Sequence, residues 1–218
     1  MKKNLYITAL AILFCSNFIL AQKTQKLNLS ELLKNGKISS AGPQSLAELT
    51  DNKYKGVTCK QGLYWIKDIS FAEGTIELDM KGRDVLQQSF LGIAFHGADS
   101  AAYESVYLRP FNFRTTDTLR RSHAVQYVSA PDYPWERLRK EQPLVYEHGI
   151  NPPPLATDWV HVRIDVQDDV VSVYLNHSRA SALTVKKLGN YKDGSLGFWC
   201  FGSAEADFAN LVIKEKVK

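Results

Sequence analysis

Metal-binding motifs, catalytic signatures and an excess of one charge are all missing from this sequence, and each absence excludes a class of function. Three cysteines occur in 218 residues, and no Cys-x-x-Cys or His/Cys spacing predicts a zinc site. A nucleophile elbow, a phosphate loop and a metalloprotease helix are likewise missing. The formal net charge of +4 is too small to predict binding to nucleic acid or to an anionic membrane. We therefore expect no cofactor, no metal and no nucleic-acid partner.

A long amphipathic helix is also missing, and an alternating pattern takes its place. Hydrophobic residues make up 44% of the chain and charged residues 23%, which are values of a folded globular protein. Apolar and polar residues alternate with a period of two over most of the chain. The strand-like runs are 63–66, 74–80, 90–96, 105–113, 124–129, 159–166, 170–176, 196–201 and 208–213. Many short antiparallel strands in one domain predict a β-sandwich or a barrel.

Residues 1–21 have the pattern of a secretory signal peptide. Two lysines form the positive start, residues 5–14 are apolar, and the small residue Ala21 precedes the predicted cleavage point. A membrane anchor is the alternative, but Asn17 interrupts the apolar run, and a spanning helix needs about 20 apolar residues. Lipidation at Cys15 is a second alternative, although bulky residues precede this cysteine. We expect an exported bacterial protein, periplasmic or secreted, with no membrane span after cleavage near Ala21.

The rest of the chain divides into a short N-terminal extension, residues 22–55, and one domain, residues 56–218. The extension is polar and contains one predicted helix, residues 30–34, with Ser30 as its cap and Gly36 after its end. No internal repeat is found in the domain.

Two cysteines, Cys59 and Cys200, remain after the signal peptide is removed. In an oxidising compartment they can form a disulfide bond. Alternatively, each is a small apolar side chain buried in the core. The sequence leaves both alternatives open.

The clearest local element is a hairpin in the C-terminal half. Two runs alternate cleanly between apolar and polar residues, and their apolar members are Val160, Val162, Ile164, Val166, Val171, Val173 and Leu175. The polar segment Gln167-Asp168-Asp169 between the runs predicts a tight turn. One face of this hairpin is therefore predicted to lie in the core.

This hairpin resembles the signature hairpin of the concanavalin A-like lectin/glucanase superfamily, which includes laminin-G-like and 3-keto-disaccharide hydrolase-type domains. Residues 194–199 and 208–213 resemble its last two strands, and Gly74-Thr75-Ile76-Glu77 resembles an early strand. The resemblance covers about residues 56–213. It implies an all-β fold, an antiparallel jelly-roll β-sandwich with one concave face. It also implies an oligo- or polysaccharide as the ligand, although a fold alone does not determine a function.

An acid pair lies on the early strand. Glu77 and Asp79 share one face, about 6.6–6.8 Å apart along the strand, which is a separation that inverting glycosidases use. The glucanases of the superfamily carry Glu-x-Asp-x-Glu at this place, and here Lys81 stands where the second glutamate belongs. We therefore interpret the pair as solvated strand residues.

A set of aromatic and polar residues fits sugar recognition better. Sugars bind through aromatic rings against their C–H faces and through Arg, Asn and Gln groups on their hydroxyls. Alternation puts Tyr107 and Arg109 on one face of a strand. The predicted substrate-binding residues are Tyr107, Arg109, Asn112, Gln126, Tyr127 and Trp135. The alternative is that these side chains merely cover strand faces.

Two further residues are candidates for acid–base chemistry. His96 follows small residues, with Gly92 and Ala94 on the same predicted face, and could act as a general base. Glu104, at the start of the next strand, is its best carboxylate partner. The alternative is a buried histidine that is simply hydrogen-bonded.

The long connection 130–158 has little strand character. It contains Trp135, a basic cluster and three consecutive prolines, and connections of this length often serve as binding loops or lids. A structural loop that closes one end of the sandwich is the alternative.

Three functions are consistent with these features. The first is an exported carbohydrate-binding protein that recognises a glycan on its concave face. The second is a glycan-processing hydrolase of the same fold, with Glu104 or His96 as acid or base. The third is a sandwich that binds a protein partner through an exposed apolar patch.

Overall fold

The computed structural model describes residues 22–40 and 45–216. The predicted signal peptide lies outside the described residues. The strands are β1 (Gln22–Lys26), β2 (Ile38–Ser40), β3 (Leu46–Glu48), β4 (Gly56–Cys59), β5 (Gly62–Phe71), β6 (Gly74–Lys81), β7 (Phe90–Gly97), β8 (Tyr103–Leu108), β9 (Val125–Ala130), β10 (Glu147–His148), β11 (Val160–Gln167), β12 (Val170–Leu175), β13 (Leu183–Lys186), β14 (Gly194–Phe201) and β15 (Ala206–Lys216). The helices are α1 (Leu29–Lys34), α2 (Thr118–Arg121) and α3 (Trp135–Glu141), and a 3-10 turn covers Pro110–Asn112.

The strands form two antiparallel sheets packed as a sandwich, as the alternation predicts. The first sheet has the order β13-β12-β11-β6-β15-β4-β3, and β1 also pairs with β15. The second sheet has the order β10-β9-β8-β7-β14-β5-β2. The predicted all-β sandwich class is therefore confirmed.

The C-terminal hairpin buries the predicted face. Val162 pairs with Leu175 and Ile164 with Val173, and all four side chains are buried in the core. From the second sheet, alternate residues such as Ile93, Val106 and Phe198 meet them. Because side chains alternate across a strand, the intervening residues of the second sheet point to its outer face.

The N-terminal segment 22–55 contributes strands to both sheets. β1 and β3 pair within the first sheet, whereas β2 pairs with β5 of the second. These strands are only three to five residues long, too short for alternation to reveal them. The helix α1 is capped by Asn28 instead of Ser30, because the Asn28 side chain accepts a hydrogen bond from the backbone N–H of Glu31 at 3.3 Å.

The two described cysteines face each other across the core. Cys59 lies on β4 of the first sheet and Cys200 on β14 of the second, and both are buried free thiols. Burial raises the pKa of the Cys59 thiol, and a hydrogen bond with Cys200 raises it further. The Cys59 thiol is therefore disfavoured as a thiolate while the fold is intact.

None of the helices among residues 22–40 and 45–216 is long and apolar enough to cross a membrane.

Truncation of a core side chain tests the face assignment. Leu175→Ala should lower the free energy of unfolding by about 2–5 kcal/mol, because it removes buried surface and leaves a cavity. Arg163→Ala, on the outer face of the same hairpin, should cost about 1 kcal/mol or less, since it mainly loses its contact with the Tyr174 ring. Urea unfolding of both variants measures the difference, and equal losses would show that the faces are assigned wrongly.

Thiol labelling tests the state of the cysteine pair. In the folded protein at about pH 8, Cys59 and Cys200 should react with a thiol reagent far more slowly than an exposed cysteine, because both sulfur atoms are buried and a reagent cannot reach them. In denaturant and without reductant, the mature chain should release two thiols. Recovery of none after denaturation would show that the pair is a disulfide.

Candidate functional site

The outer face of the second sheet carries a row of aromatic side chains. Trp199 and Tyr107 lie on either side of Gly92 in the sheet, and their ring centroids are 4.6 Å apart. A Cβ atom at Gly92 would lie 2.5 Å from the Cβ atom of Tyr107, so only glycine allows the two rings to approach across β7. The absence of a side chain at Gly92 therefore allows Trp199 and Tyr107 to form a continuous aromatic surface.

A cavity of about 590 Å³ opens over this row. Its aromatic walls are Phe90, Tyr103, Tyr107, Phe111, Trp135, Trp199 and Phe201, and its polar lining includes Arg109, Asn112, Arg120, His123, Glu136 and Arg139. We call it the aromatic pocket. Its size and its mainly aromatic lining with a few polar groups are typical of small-ligand sites.

Trp199 is held in a fixed orientation within the aromatic pocket. Its indole N–H donates to the Tyr103 hydroxyl at 3.0 Å. Its ring lies nearly parallel to that of Phe201, with an angle of 16° between the planes. Phe201 is 52% exposed, so an apolar ring remains open to a ligand at the mouth of the pocket.

Four charged or titratable side chains form a cluster at one side of the pocket. Arg139 holds Glu147 with two hydrogen bonds of 2.8 and 2.6 Å. Arg109 and His123 approach the same carboxylate at 3.6 and 2.9 Å. We call these residues the Glu147 cluster. Glu147 is only 2% exposed, so its negative charge is stabilised by side chains instead of water.

Arg109 is bonded almost entirely to protein groups. Its guanidinium donates to the Tyr107 hydroxyl at 2.8 Å, to the His123 carbonyl at 3.0 Å and to the Gln126 side-chain carbonyl. Burial lowers the pKa of Arg109 and raises that of Tyr107. These bonds use most of the N–H donors of Arg109 that we expected to bind sugar hydroxyls. Arg109 therefore holds the side chains beneath the pocket in position.

Asn112 and Gln126 have unused polar atoms. The Asn112 amide donates to the His123 carbonyl at 3.3 Å, while its Oδ1 atom is buried without a partner among the described residues. The Nε2 atom of Gln126 is in the same state. Asn112 lines the aromatic pocket, but its Oδ1 atom is itself buried.

Glu104, Tyr127 and His96 lie away from this pocket, on the core side of the second sheet. The Tyr127 hydroxyl donates to Glu104 at 2.6 Å, and His96 Nδ1 lies 3.2 Å from the same carboxylate. All three side chains are fully buried, and burial raises the pKa of Tyr127. The network holds the edge of the core and offers no group to a ligand in the aromatic pocket.

The predicted face of His96 is wrong for a local reason. His96 has a φ of +52°, and β14 shows a register shift opposite this part of β7. Such a bulge breaks the alternation, so His96 does not follow Gly92 and Ala94. Its ring instead stacks on Phe71 in the core.

The long connection 130–158 forms one wall of the pocket through α3. Trp135, at the first position of this helix, is 41% exposed and lines the pocket. The guanidinium of Arg139, one turn later, lies 4.7 Å from the centre of the Trp135 ring. Leu138 of the same helix is buried in the core. The helix is thus fixed by packing and presents two side chains to the pocket.

The acid pair of β6 lies on the first sheet, in a separate depression. Glu77 binds Lys214 at 2.9 Å, and Asp79 accepts from Asn210 at 2.6 Å and lies 2.9 Å from His161 Nδ1. The hydrogen bonds of His161 and Asn210 lower the pKa of Asp79 even though partial burial opposes them. Both carboxylates are therefore occupied by neighbouring side chains.

Sequence reasoning did not identify Trp199, His123, Arg139 and Glu147 as site residues. Trp199 alternates with the buried Phe198 and Cys200, and that alternation was a usable signal for an outward aromatic residue. Glu147 belongs to a strand of two residues, and no local pattern connects it with Arg109. Among the described residues, no group of three or more His, Cys, Asp and Glu side chains is arranged to hold a metal ion.

Sequence comparison finds no match, whereas comparison of structures finds many. No family model and no curated protein matches the chain. The carbohydrate binding module CBM66 from Bacillus subtilis is similar with a TM-score of 0.59 and 13% identity, covering 82% of this chain and 95% of that one. A protein of unknown function with a galectin-like fold from Bacillus subtilis has a TM-score of 0.60 and 11% identity, covering 88% and 96%. Porphyranase B from Zobellia galactanivorans has a TM-score of 0.52 and 8% identity, covering 89% and 94%.

At these identities the likeness concerns the fold. The similar proteins share the two-sheet antiparallel architecture over nearly their whole length. The chain therefore has a two-sheet antiparallel β-sandwich fold like that of these proteins, in agreement with the fold that the resemblance implies.

Proposed function

We propose that this protein binds a saccharide in the aromatic pocket. The observation that carries the proposal is the orientation of Trp199, which is fixed by Tyr103 and by the rings around it. A ring that is already ordered loses little conformational entropy when a sugar stacks on it. Phe201 and Trp135 extend the apolar surface, and Arg120 and Glu136 supply polar groups for sugar hydroxyls.

The fold supports the same ligand class. One of the similar structures is a carbohydrate binding module, although fold similarity alone does not transfer a ligand. The predicted signal peptide fits an exported protein that meets oligo- or polysaccharides outside the cytoplasm. The concave face predicted from the resemblance would then correspond to the outer face of the second sheet.

Binding is favoured over hydrolysis by the placement of the carboxylates. Glycosidases commonly use two carboxyl groups that flank the bond to be cleaved. Glu136 is the carboxylate among the residues that line the aromatic pocket, and Glu147 behind it is held by arginines. The proposed acid or base residues Glu104 and His96 are buried on the other side of the sheet. Among the described residues, the lining of this pocket thus offers one carboxylate where such a hydrolase uses two.

Replacement of the central ring tests this proposal. With a ligand found on a glycan array, Trp199→Ala should weaken binding by about 2 kcal/mol, roughly 30-fold, because the stacking surface is lost. Trp199→Phe should retain part of the affinity. Isothermal titration calorimetry measures each variant, and thermal unfolding shows whether it is folded.

Glu77→Ala is the matched control on the first sheet. It should leave the affinity unchanged, because Glu77 lies outside the aromatic pocket. If Glu77→Ala loses binding while Trp199→Ala does not, the site lies on the first sheet instead. A reducing-sugar assay on the same ligand should detect no release, and release would favour the hydrolase.

A further inference from the structure

The charges around the aromatic pocket do not balance. Arg109, Arg139 and His123 all converge on Glu147, the single carboxylate of the cluster. At the rim, Arg120 and Glu136 add one charge of each sign. With His123 neutral, three guanidinium groups therefore face two carboxylates, and one positive charge is left over.

Burial and the neighbouring charges both act on the pKa values of Arg109 and His123. Arg109 is only 4% exposed, and burial and the neighbouring charge of Arg139 both lower its pKa, partly opposed by Glu147 and Tyr107. The pKa of His123 is also lowered by burial and by Arg139 and Arg109, although Glu147 opposes the shift. Burial is the larger cause of both shifts, so the preference for an anion rests on the count of charges and on the free donors.

Some of the charged donors still face the pocket. Arg139 uses Nε and Nη2 for Glu147, which leaves its Nη1 atom for a ligand. Its guanidinium also rests against the Trp135 ring, so the side chain is ordered before a ligand arrives. Arg120 donates from Nη2 to the Phe111 carbonyl at 3.3 Å and retains its other N–H groups at the rim.

We propose that the aromatic pocket selects saccharides that carry a negatively charged group, a carboxylate or a sulfate ester, placed between Arg139 and Arg120. This inference rests on the proposed function, because the sugar ring is taken to stack on the aromatic walls. A planar guanidinium pairs well with the oxygens of both kinds of anion. A cationic or neutral sugar would leave the excess charge of the pocket uncompensated.

The first experiment compares charged ligands with their own neutral forms. Oligogalacturonides are tested against their methyl esters, and sulfated galacto-oligosaccharides against the desulfated compounds, on the mature protein. The acidic form should bind about tenfold or more tightly, and the preference should shrink as the salt concentration is raised from about 0.05 to 0.5 M. The two ligand pairs show which anion the pocket takes.

Two arginines on α3 provide a matched pair of variants. Arg139→Gln should remove most of the preference for the acidic form, because it removes the ordered charge in the pocket. Arg137→Gln removes the same charge from the same helix, but Arg137 binds the exposed Glu141 at 3.0 Å and faces the Tyr133 ring. Its affinity for both forms should equal that of the unchanged protein.

A second variant tests the charge selection in case Arg139→Gln does not fold. Glu136 is exposed at the rim, so Glu136→Gln should fold normally and increase the affinity for the acidic form about two- to fivefold by removing a repulsive charge. Glu141→Gln, at the far end of the same helix, is its control and should have no effect.

Each other outcome has a distinct meaning. If wild type binds the neutral form as tightly as the acidic one, the charge selection is wrong while saccharide binding stands. If Arg137→Gln and Arg139→Gln weaken acidic ligands alike, the effect comes from the overall charge and not from the pocket. If the wild-type protein binds no saccharide of either kind, the proposed function fails, and this inference fails with it.

Discussion

The buried carboxylate of Glu147 is the interaction on which the arrangement of the pocket depends. It joins three parts of the chain that are distant in sequence, because Arg109 follows β8, His123 precedes β9 and Arg139 lies on α3. Removing one partner from a buried ion pair commonly costs about 3–5 kcal/mol, since the other charge is left unpaired. The ion pair between Arg139 and Glu147 holds α3 against the sheet, and it therefore also sets the position of the pocket wall that α3 forms. The stability of this corner and the shape of the site cannot be separated.

Each strand of the second sheet serves two surfaces at once. On β14, Phe198 and Cys200 fill the core while Trp199 and Phe201 face the pocket. On β8, Val106 and Leu108 pack inward while Tyr107 supports the floor. The core thereby holds the backbone of the site in place.

The sequence predicted what depends on local periodicity. The alternating runs located most of the long strands, and the shared face of Tyr107 and Arg109 followed from the same pattern. Prediction failed where a long-range contact or a backbone irregularity decides the outcome. The positive φ of His96 turns its side chain away from the face that alternation assigns to it, and Glu147 gains its role only through partners that the fold brings together. The short strands of residues 22–55 have too few positions for any period to show.

Trp135 and Arg139 stand one turn apart on the seven-residue helix α3, with the guanidinium resting on the indole ring. An apolar wall and an ionic contact are thus carried by one rigid element, and a displacement of that element moves both together. An insertion or deletion in the connection that flanks α3 would move the Trp135 ring and the Arg139 charge together, either toward the pocket or away from it. If the pocket binds an acidic saccharide as proposed, its affinity for the sugar ring and its selection by charge depend on the same helix. A chain of this design could exchange its ligand preference by replacing one short helix while leaving both sheets unchanged.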